Sequence, residues 1–180
     1  MTITLIRHGE TIDNLNRICQ GQTHGILTAT GISQAHNVAR RLLHNHYECC
    51  YTSDLERAHH TARIICSQLG IPLFPDARLR ERGLGRLQGQ PLPVGENGFG
   101  EWEGSERLEA LRLRVADFVA EVSRRHHEQV LVVSHGVTLR MMVNLCTGEE
   151  NYPPPMGNCS LSQLRLVSGD TFELIEYNTI

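Results

Sequence analysis

No apolar run in this 180-residue chain is long enough to span a bilayer, and no internal repeat or low-complexity tract interrupts it. No charged leader followed by an apolar segment precedes the strand-like Thr2–Ile6, and we expect a cytoplasmic protein. An excess of positive charge is also missing. The net charge is −3, which favours neither nucleic acid nor a membrane surface as a partner. An anionic substrate would therefore need a local cluster of cations. The six cysteines contain no CxxC pair, and Cys49 and Cys50 are adjacent in an apolar stretch, so reduced, buried thiols are expected. No GxxxxGK[ST] loop and no dinucleotide glycine fingerprint follow any strand-like run. What remains is an ordinary globular balance, 40% hydrophobic and 21% charged, sized for one domain over residues 1–180. The sequence leaves open whether the chain is a monomer or a homodimer.

Short apolar runs alternate with helix-period stretches. Thr2–Ile6 reads as a strand, and Thr30–His46 places Ile32, Ala35, Val38, Ala39, Leu42 and Leu43 on one helical face. Glu48–Thr52 reads as a second strand. A helix over Asp54–Leu69 follows, with a Ser53/Glu56 capping box and Gly70 as its stop. Ile71–Phe74 reads as an edge strand because it holds a proline. Gly83–Gly104 shows neither period and is expected to be a loop or cap over the site. A helix over Ser105–His126, a buried strand over Gln129–Ser134 and a helix over Val137–Leu145 come next. Pro153-Pro154-Pro155 is a rigid loop, and Leu161–Val167 with Thr171–Tyr177 form a hairpin turning at Ser168-Gly169-Asp170. This order predicts an α/β fold, a mostly parallel sheet with helices on both faces.

In such a sheet, sites form outside the carboxyl ends of the strands. Arg7-His8-Gly9, Thr52–Arg57 and Ser134-His135-Gly136 occupy such ends, with Leu79-Arg80-Glu81-Arg82-Gly83 a few residues beyond the Pro72 strand. Arg7 and Arg57 can fork onto phosphate oxygens, and Arg57 would sit in a first helical turn whose free N–H groups favour an anion. His8, if neutral, can attack phosphorus directly. His135 can donate to the same oxygens as charge shifts. Glu81 can protonate the leaving oxygen and then activate water.

These motifs resemble the histidine phosphatase superfamily, the phosphoglycerate-mutase-like proteins. The resemblance is carried by Leu5-Ile6-Arg7-His8-Gly9-Glu10-Thr11 with Asn14, by Gln20-Gly21, Leu27-Thr28, Gly31 and Gln34-Ala35, by Tyr51–Ala58 with Thr61-Ala62, by Leu79-Arg80-Glu81 and by Val133–Gly136. It implies a three-layer α/β sandwich and a phosphohistidine on His8. Arg7, Arg57 and His135 would bind the phosphoryl group, and Glu81 would be the proton donor. Asn14, Gln20, Gly21 and Gly136 would line the substrate pocket. No metal or organic cofactor is implied, and the partner would be a small phosphorylated metabolite.

Two departures from the family pattern matter. After Gly21 the chain reads Gln22-Thr23-His24-Gly25-Ile26-Leu27-Thr28, where the family usually has Asp and then Pro-Leu-Thr. His24 could contact a ligand or face solvent. The Trp-Glu-Gly run expected soon after the acid comes late, at Gly100–Gly104, so Glu101 or Glu103 competes with Glu81 as the acid. Trp102 could face substrate or pack the loop. Three rival functions are a metal hydrolase using His44, His46, His59, His60, His126 and His127, a non-catalytic phosphate-binding module, and a mutase. Mutases of this family carry a longer insertion between the Arg57 helix and the His135 strand, which favours a hydrolase here.

Overall fold

A computed structural model describes residues 1–149, 151–169 and 171–180. The strands are β1 (Thr2–Arg7), β2 (Cys49–Thr52), β3 (Leu73–Pro75), β4 (Gln129–Ser134), β5 (Leu161–Ser168) and β6 (Thr171–Thr179). The helices are α1 (Ile12–Leu15), α2 (Ala29–Leu42), α3 (Glu56–Leu69), α4 (Leu108–Arg124) and α5 (Gly136–Thr147). The sheet order is β3-β2-β4-β1-β5-β6. It is parallel from β3 to β1 and antiparallel from β1 to β6.

Both faces of the sheet are covered, which explains the near-continuous apolar strands. Ile3, Leu5, Val130 and Val132 pack against Leu111, Val115 and Phe118 of α4 and Leu139 and Met142 of α5. Ile6, Leu131 and Val133 point the other way, onto Ala35, Val38 and Leu42 of α2 and Ala58, Ala62 and Ile65 of α3. The expected three-layer α/β architecture is therefore present, with β3 at an edge. Among the described residues, no helix is long and apolar enough to cross a membrane. All six cysteines are buried and free.

Local boundaries differ from the sequence reading for physical reasons. α2 ends at Leu42, and Leu43, assigned to its inner face, is 52% exposed. α3 begins at Glu56, and the Ser53/Glu56 capping box does not form. Ser53 Oγ instead accepts from Leu55 N at 3.2 Å, and Asp54 is drawn out of the helix by Arg80 Nε at 2.7 Å. Glu56 pairs with Arg63. α4 starts at Leu108 because Ser105 bridges back to Leu84. The short α1 was not foreseen; Thr11 and Asn14 cap it reciprocally. The β5–β6 hairpin forms, but Asp170 of its expected turn lies outside the described residues.

Register decides what meets at the site. Arg7 pairs with Ser134, and Thr52 with Val133, so three parallel strands end side by side. β5 runs antiparallel, with Leu161 opposite Ile6, so the loop entering β5 arrives at that same edge. Below it, Gly9 and Gly31 meet backbone to backbone. A Cβ on Gly31 would come within 2.1 Å of the Glu10 carbonyl oxygen, and one on Gly9 within 2.5 Å of the Gly31 oxygen. Neither neighbour is a flexible side chain. Gly31→Ala is expected to cost about 1–3 kcal/mol of stability through overpacking. Urea denaturation checks this, and an unchanged midpoint would mean the loop yields freely.

Candidate active site

A cavity of about 600 Å³ opens at the carboxyl edge of the sheet. Arg7, His8, Arg57, Glu81 and Gly136 line its inner end, with Asn14, Gln20 and Gly21 beside them. Eight of the nine sequence-predicted site residues therefore line one cavity, and the ninth, His135, packs against its floor. The His8 and His135 ring centroids are 5.3 Å apart.

His8 follows β1 directly, its N–H bound to the Ser134 carbonyl at 2.9 Å. The ring is buried, and Nδ1 lies 2.8 Å from the carbonyl oxygen of Gly9. A carbonyl only accepts, so Nδ1 carries the proton and Nε2 carries the lone pair. Arg57 Nε donates to that Nε2 at 3.3 Å. Burial depresses the His8 pKa well below its ordinary range, and Arg57 and then Arg7 push it further down, against the Gly9 hydrogen bond. A neutral imidazole with a free, oriented lone pair is what a phosphorus nucleophile requires.

Arg57 is almost wholly buried and is held by carbonyls. NH2 donates to Gly21 O at 2.8 Å, and NH1 donates to Thr23 O and His24 O. The Nε–NH2 edge remains turned toward His8, the geometry of a fork for two oxygens of one anion. Burial lowers its pKa to about 10, with Glu81 opposing. One of the first-turn N–H groups expected to favour an anion is spent, since Arg57 N–H donates to the His24 carbonyl at 3.2 Å. His24 is exposed and contributes its backbone to this loop. Gly21 adopts φ +51, and a Cβ there would meet Gln88 Oε1 at 2.4 Å.

Among the described residues, several buried polar atoms lack partners: Arg7 Nε, Gln20 Oε1, and both His135 nitrogens. Such groups are costly unless something satisfies them, and an oxyanion would satisfy the donors among them. His135 is also held neutral, chiefly by burial and then by Arg57, His8 and Arg7. Burial likewise lowers the Arg7 pKa, with Glu81 opposing.

Glu81 is tied to the first turn of α5. Oε2 accepts from Val137 N at 3.1 Å, and Oε1 accepts from Thr138 N at 3.1 Å and from Arg82 N at 2.9 Å. The competing carboxylates lie elsewhere. Glu101 is mostly exposed and pairs with Arg82, and Glu103 is exposed and pairs with Arg86. Trp102 packs on Gly100 with the Arg82 guanidinium 5.7 Å from its ring centroid, so it serves the loop.

Sequence reading missed three supports. Thr61 Oγ1 accepts from Gly9 N at 3.0 Å and fixes the turn carrying His8. Asn158 Nδ2 donates to both His8 O and Asn14 Oδ1, each at 3.0 Å. Arg7 donates to the Met156 carbonyl. Asn158 and Met156 belong to the loop that the antiparallel β5 brings in, and no spacing signal marks them. The rest of the lining is mixed, with apolar Ile18, Leu84, Leu92, Val94 and Met156 beside polar Arg17, Glu96, Asn97 and Arg140. No cluster of three or more His, Cys, Asp or Glu residues able to hold a metal ion occurs among the described residues. His127 pairs with Glu48 at 2.9 Å.

The family model for the histidine phosphatase superfamily (branch 1) matches residues 3–180. A relative named "Probable phosphoglycerate mutase GpmB" from Yersinia pestis (strain Pestoides F) is 32% identical over 181 residues, covering 91% of this chain and 84% of the relative. Among solved structures, Bacillus stearothermophilus YhfR superposes with a TM-score of 0.89 at 29% identity, over 99% of this chain and 97% of that one. The alpha-ribazole phosphatase from Shigella flexneri superposes with a TM-score of 0.84 at 27% identity, over 99% and 96%. The chain belongs to the histidine phosphatase superfamily.

The two buried imidazoles make stability depend on pH. Both have folded pKa values below the ordinary 6.5. As pH falls through about 6.5, the unfolded chain takes up these protons and the folded chain does not. Their contribution is therefore full above that pH and declines below it. Unfolding free energy measured from pH 7.5 down to 5 is expected to fall. In His8→Gln/His135→Gln the slope should be shallower by up to about 1.4 kcal/mol per pH unit for each histidine. An identical slope in the variant would contradict neutral burial.

Proposed function

We propose that this member of the histidine phosphatase superfamily hydrolyses a small phosphomonoester through a phosphohistidine on His8. The observation that carries the reading is the committed tautomer of His8, with Nδ1–H on the Gly9 carbonyl and the unprotonated Nε2 turned to Arg57 Nε at the floor of a cavity. Nε2 attacks phosphorus from the side opposite the ester oxygen. The phosphorus–oxygen bond breaks, and protonated Glu81 gives its proton to the leaving oxygen. Positive charge grows on the imidazole as the phosphorus–nitrogen bond forms, and the Gly9 carbonyl is already aimed at the N–H that shares it. Arg7, Arg57 and His135 hold the non-bridging oxygens. Water then attacks the phosphohistidine, Glu81 takes the water's proton, and inorganic phosphate leaves with His8 restored. Asn14, Gln20, Gly21 and Gly136 complete the pocket around the substrate.

Two observations favour hydrolysis over mutase chemistry. A mutase must keep water from the phosphoenzyme. Here the covering segment, 83–104, contains only a 3-10 turn at Gly85–Leu87, and the rim residue Val94 is fully exposed. The likeness to the Shigella alpha-ribazole phosphatase points the same way. The substrate class follows from the cavity, where Arg7 and Arg57 suit a phosphate and the remaining lining is mixed apolar and polar: a phosphate ester of a small metabolite. Six free buried thiols are compatible with a cytoplasmic setting.

Turnover of p-nitrophenyl phosphate tests the reading. His8→Ala is expected to abolish it. Glu81→Gln should lower kcat on an alkyl phosphate by about 10²–10⁴, while Glu101→Gln stays near wild type. A severe loss in Glu101→Gln alone would transfer the acid role. Incubation with 3-phosphoglycerate, with and without bisphosphoglycerate, separates the two chemistries. Isomerisation faster than phosphate release would make the protein a mutase.

A further inference from the structure

Two arginines near the cavity play no part in the chemistry above, and both are buried. Arg82 is wholly enclosed. Its Nε donates to Glu106 O at 2.8 Å, and its NH1 donates to Gly98 O at 2.9 Å and Gly100 O at 2.7 Å. Arg140, on α5, is 5% exposed. Its Nε donates to Pro153 O at 2.6 Å and its NH1 to Asn97 O at 2.9 Å. The guanidinium lies 4.7 Å from the Phe99 ring centroid, and Phe99 stacks on Tyr152 at 3.7 Å. Burying such cations is costly, so their hydrogen bonds must be well made. What they grip is one short segment, Asn97–Gly100, at three consecutive or near-consecutive carbonyls.

That segment touches the support of Glu81. Gly98 has φ +90, and a Cβ on it would come within 2.4 Å of Val137 Cγ2. Val137 and Thr138 are the residues whose N–H groups hold the Glu81 carboxylate. Arg82 follows Glu81 in sequence and donates its own N–H to Glu81 Oε1 at 2.9 Å. Arg140 lies one turn along α5 from Val137. The two residues that seat the cap thus stand on the two segments that seat Glu81.

We propose that Arg82 and Arg140 are positioning residues that clamp the Asn97–Gly100 segment onto the first turn of α5, and so fix the Glu81 carboxyl at the cavity wall. Cap and proton donor then move as one unit. Loosening the cap degrades proton delivery while leaving the phosphate end, built by Arg7, His8 and Arg57, in place. This rests on the phosphatase reading for its kinetic consequence, but the structural coupling stands apart from it.

The test uses the full chain and three variants of graded severity: Arg140→Met, Phe99→Leu and Gly98→Ala. Phe99→Leu keeps both buried cations and serves if Arg140→Met fails to fold. An alkyl phosphate needs its leaving oxygen protonated far more than p-nitrophenyl phosphate does. The kcat for glycerol 2-phosphate is expected to fall by roughly tenfold or more, and that for p-nitrophenyl phosphate by about twofold or less. Inhibition by inorganic phosphate should be unchanged. Equal losses on both substrates, or none, would overturn the proposal. Amide hydrogen exchange supplies a readout independent of turnover. Val137 and Thr138 should exchange faster in each folded variant than in wild type. Unchanged protection there would overturn the clamp, even if the wild-type chain hydrolysed neither ester.

Discussion

The hydrogen bond from His8 Nδ1 to the Gly9 carbonyl is the constraint on which the site depends. It fixes which nitrogen carries the lone pair before any ligand arrives. Everything nearby either holds that bond in place or exploits it. Thr61 pins Gly9, Asn158 pins the His8 carbonyl, and the Gly9–Gly31 contact leaves the turn no room to relax. Burial, and then the arginines around the ring, make protonation unfavourable, so the lone pair stays available near neutral pH. Without the bond, the same residues would be a cationic pocket holding a histidine of undefined tautomer.

The arrangement also shows why a parallel sheet suits this chemistry. Three strands ending in register deliver Arg7-His8, the Thr52–Arg57 segment and Ser134-His135 to one line. None of the three needs a long loop to reach the others. The antiparallel β5 then closes the fourth side with a proline-rich approach and a tight turn at Gly157–Ser160. A parallel strand there would have delivered its carboxyl end to the edge and carried Asn158 and Met156 away from it.

The fold was legible where burial and periodicity agree. Gln129–Ser134 was read to the residue because an unbroken apolar run has few alternatives, and Gly70 stops α3 because its φ is +69. The chemistry-bearing residues were legible because they sit at strand ends, where few other roles compete. Boundaries failed where a side chain or a stretch of backbone found a better distant partner than its local one. Asp54 prefers Arg80 to a helix cap, and Ser105 is held by a bridge to Leu84. The roles of Arg82, Arg140 and Asn158 carry no sequence signal for the same reason. Their partners are chiefly backbone carbonyls far away in sequence, which carry no residue identity that a motif could register.

The carbonyl cradle around Arg57 has a consequence for how such a site can diverge. A free arginine side chain surrenders up to about 2 kcal/mol of rotamer freedom when it is fixed by a ligand. In this chain that ordering happens during folding, because Gly21, Thr23 and His24 already hold the guanidinium. On the proposed reading, capture of an oxyanion is thereby preorganised and indifferent to what the phosphate is attached to. Mutations in the covering loop can then exchange one alcohol for another without the anion site having to be rebuilt. Evolution is free to explore new metabolites from a scaffold whose hardest recognition problem is solved before the substrate appears.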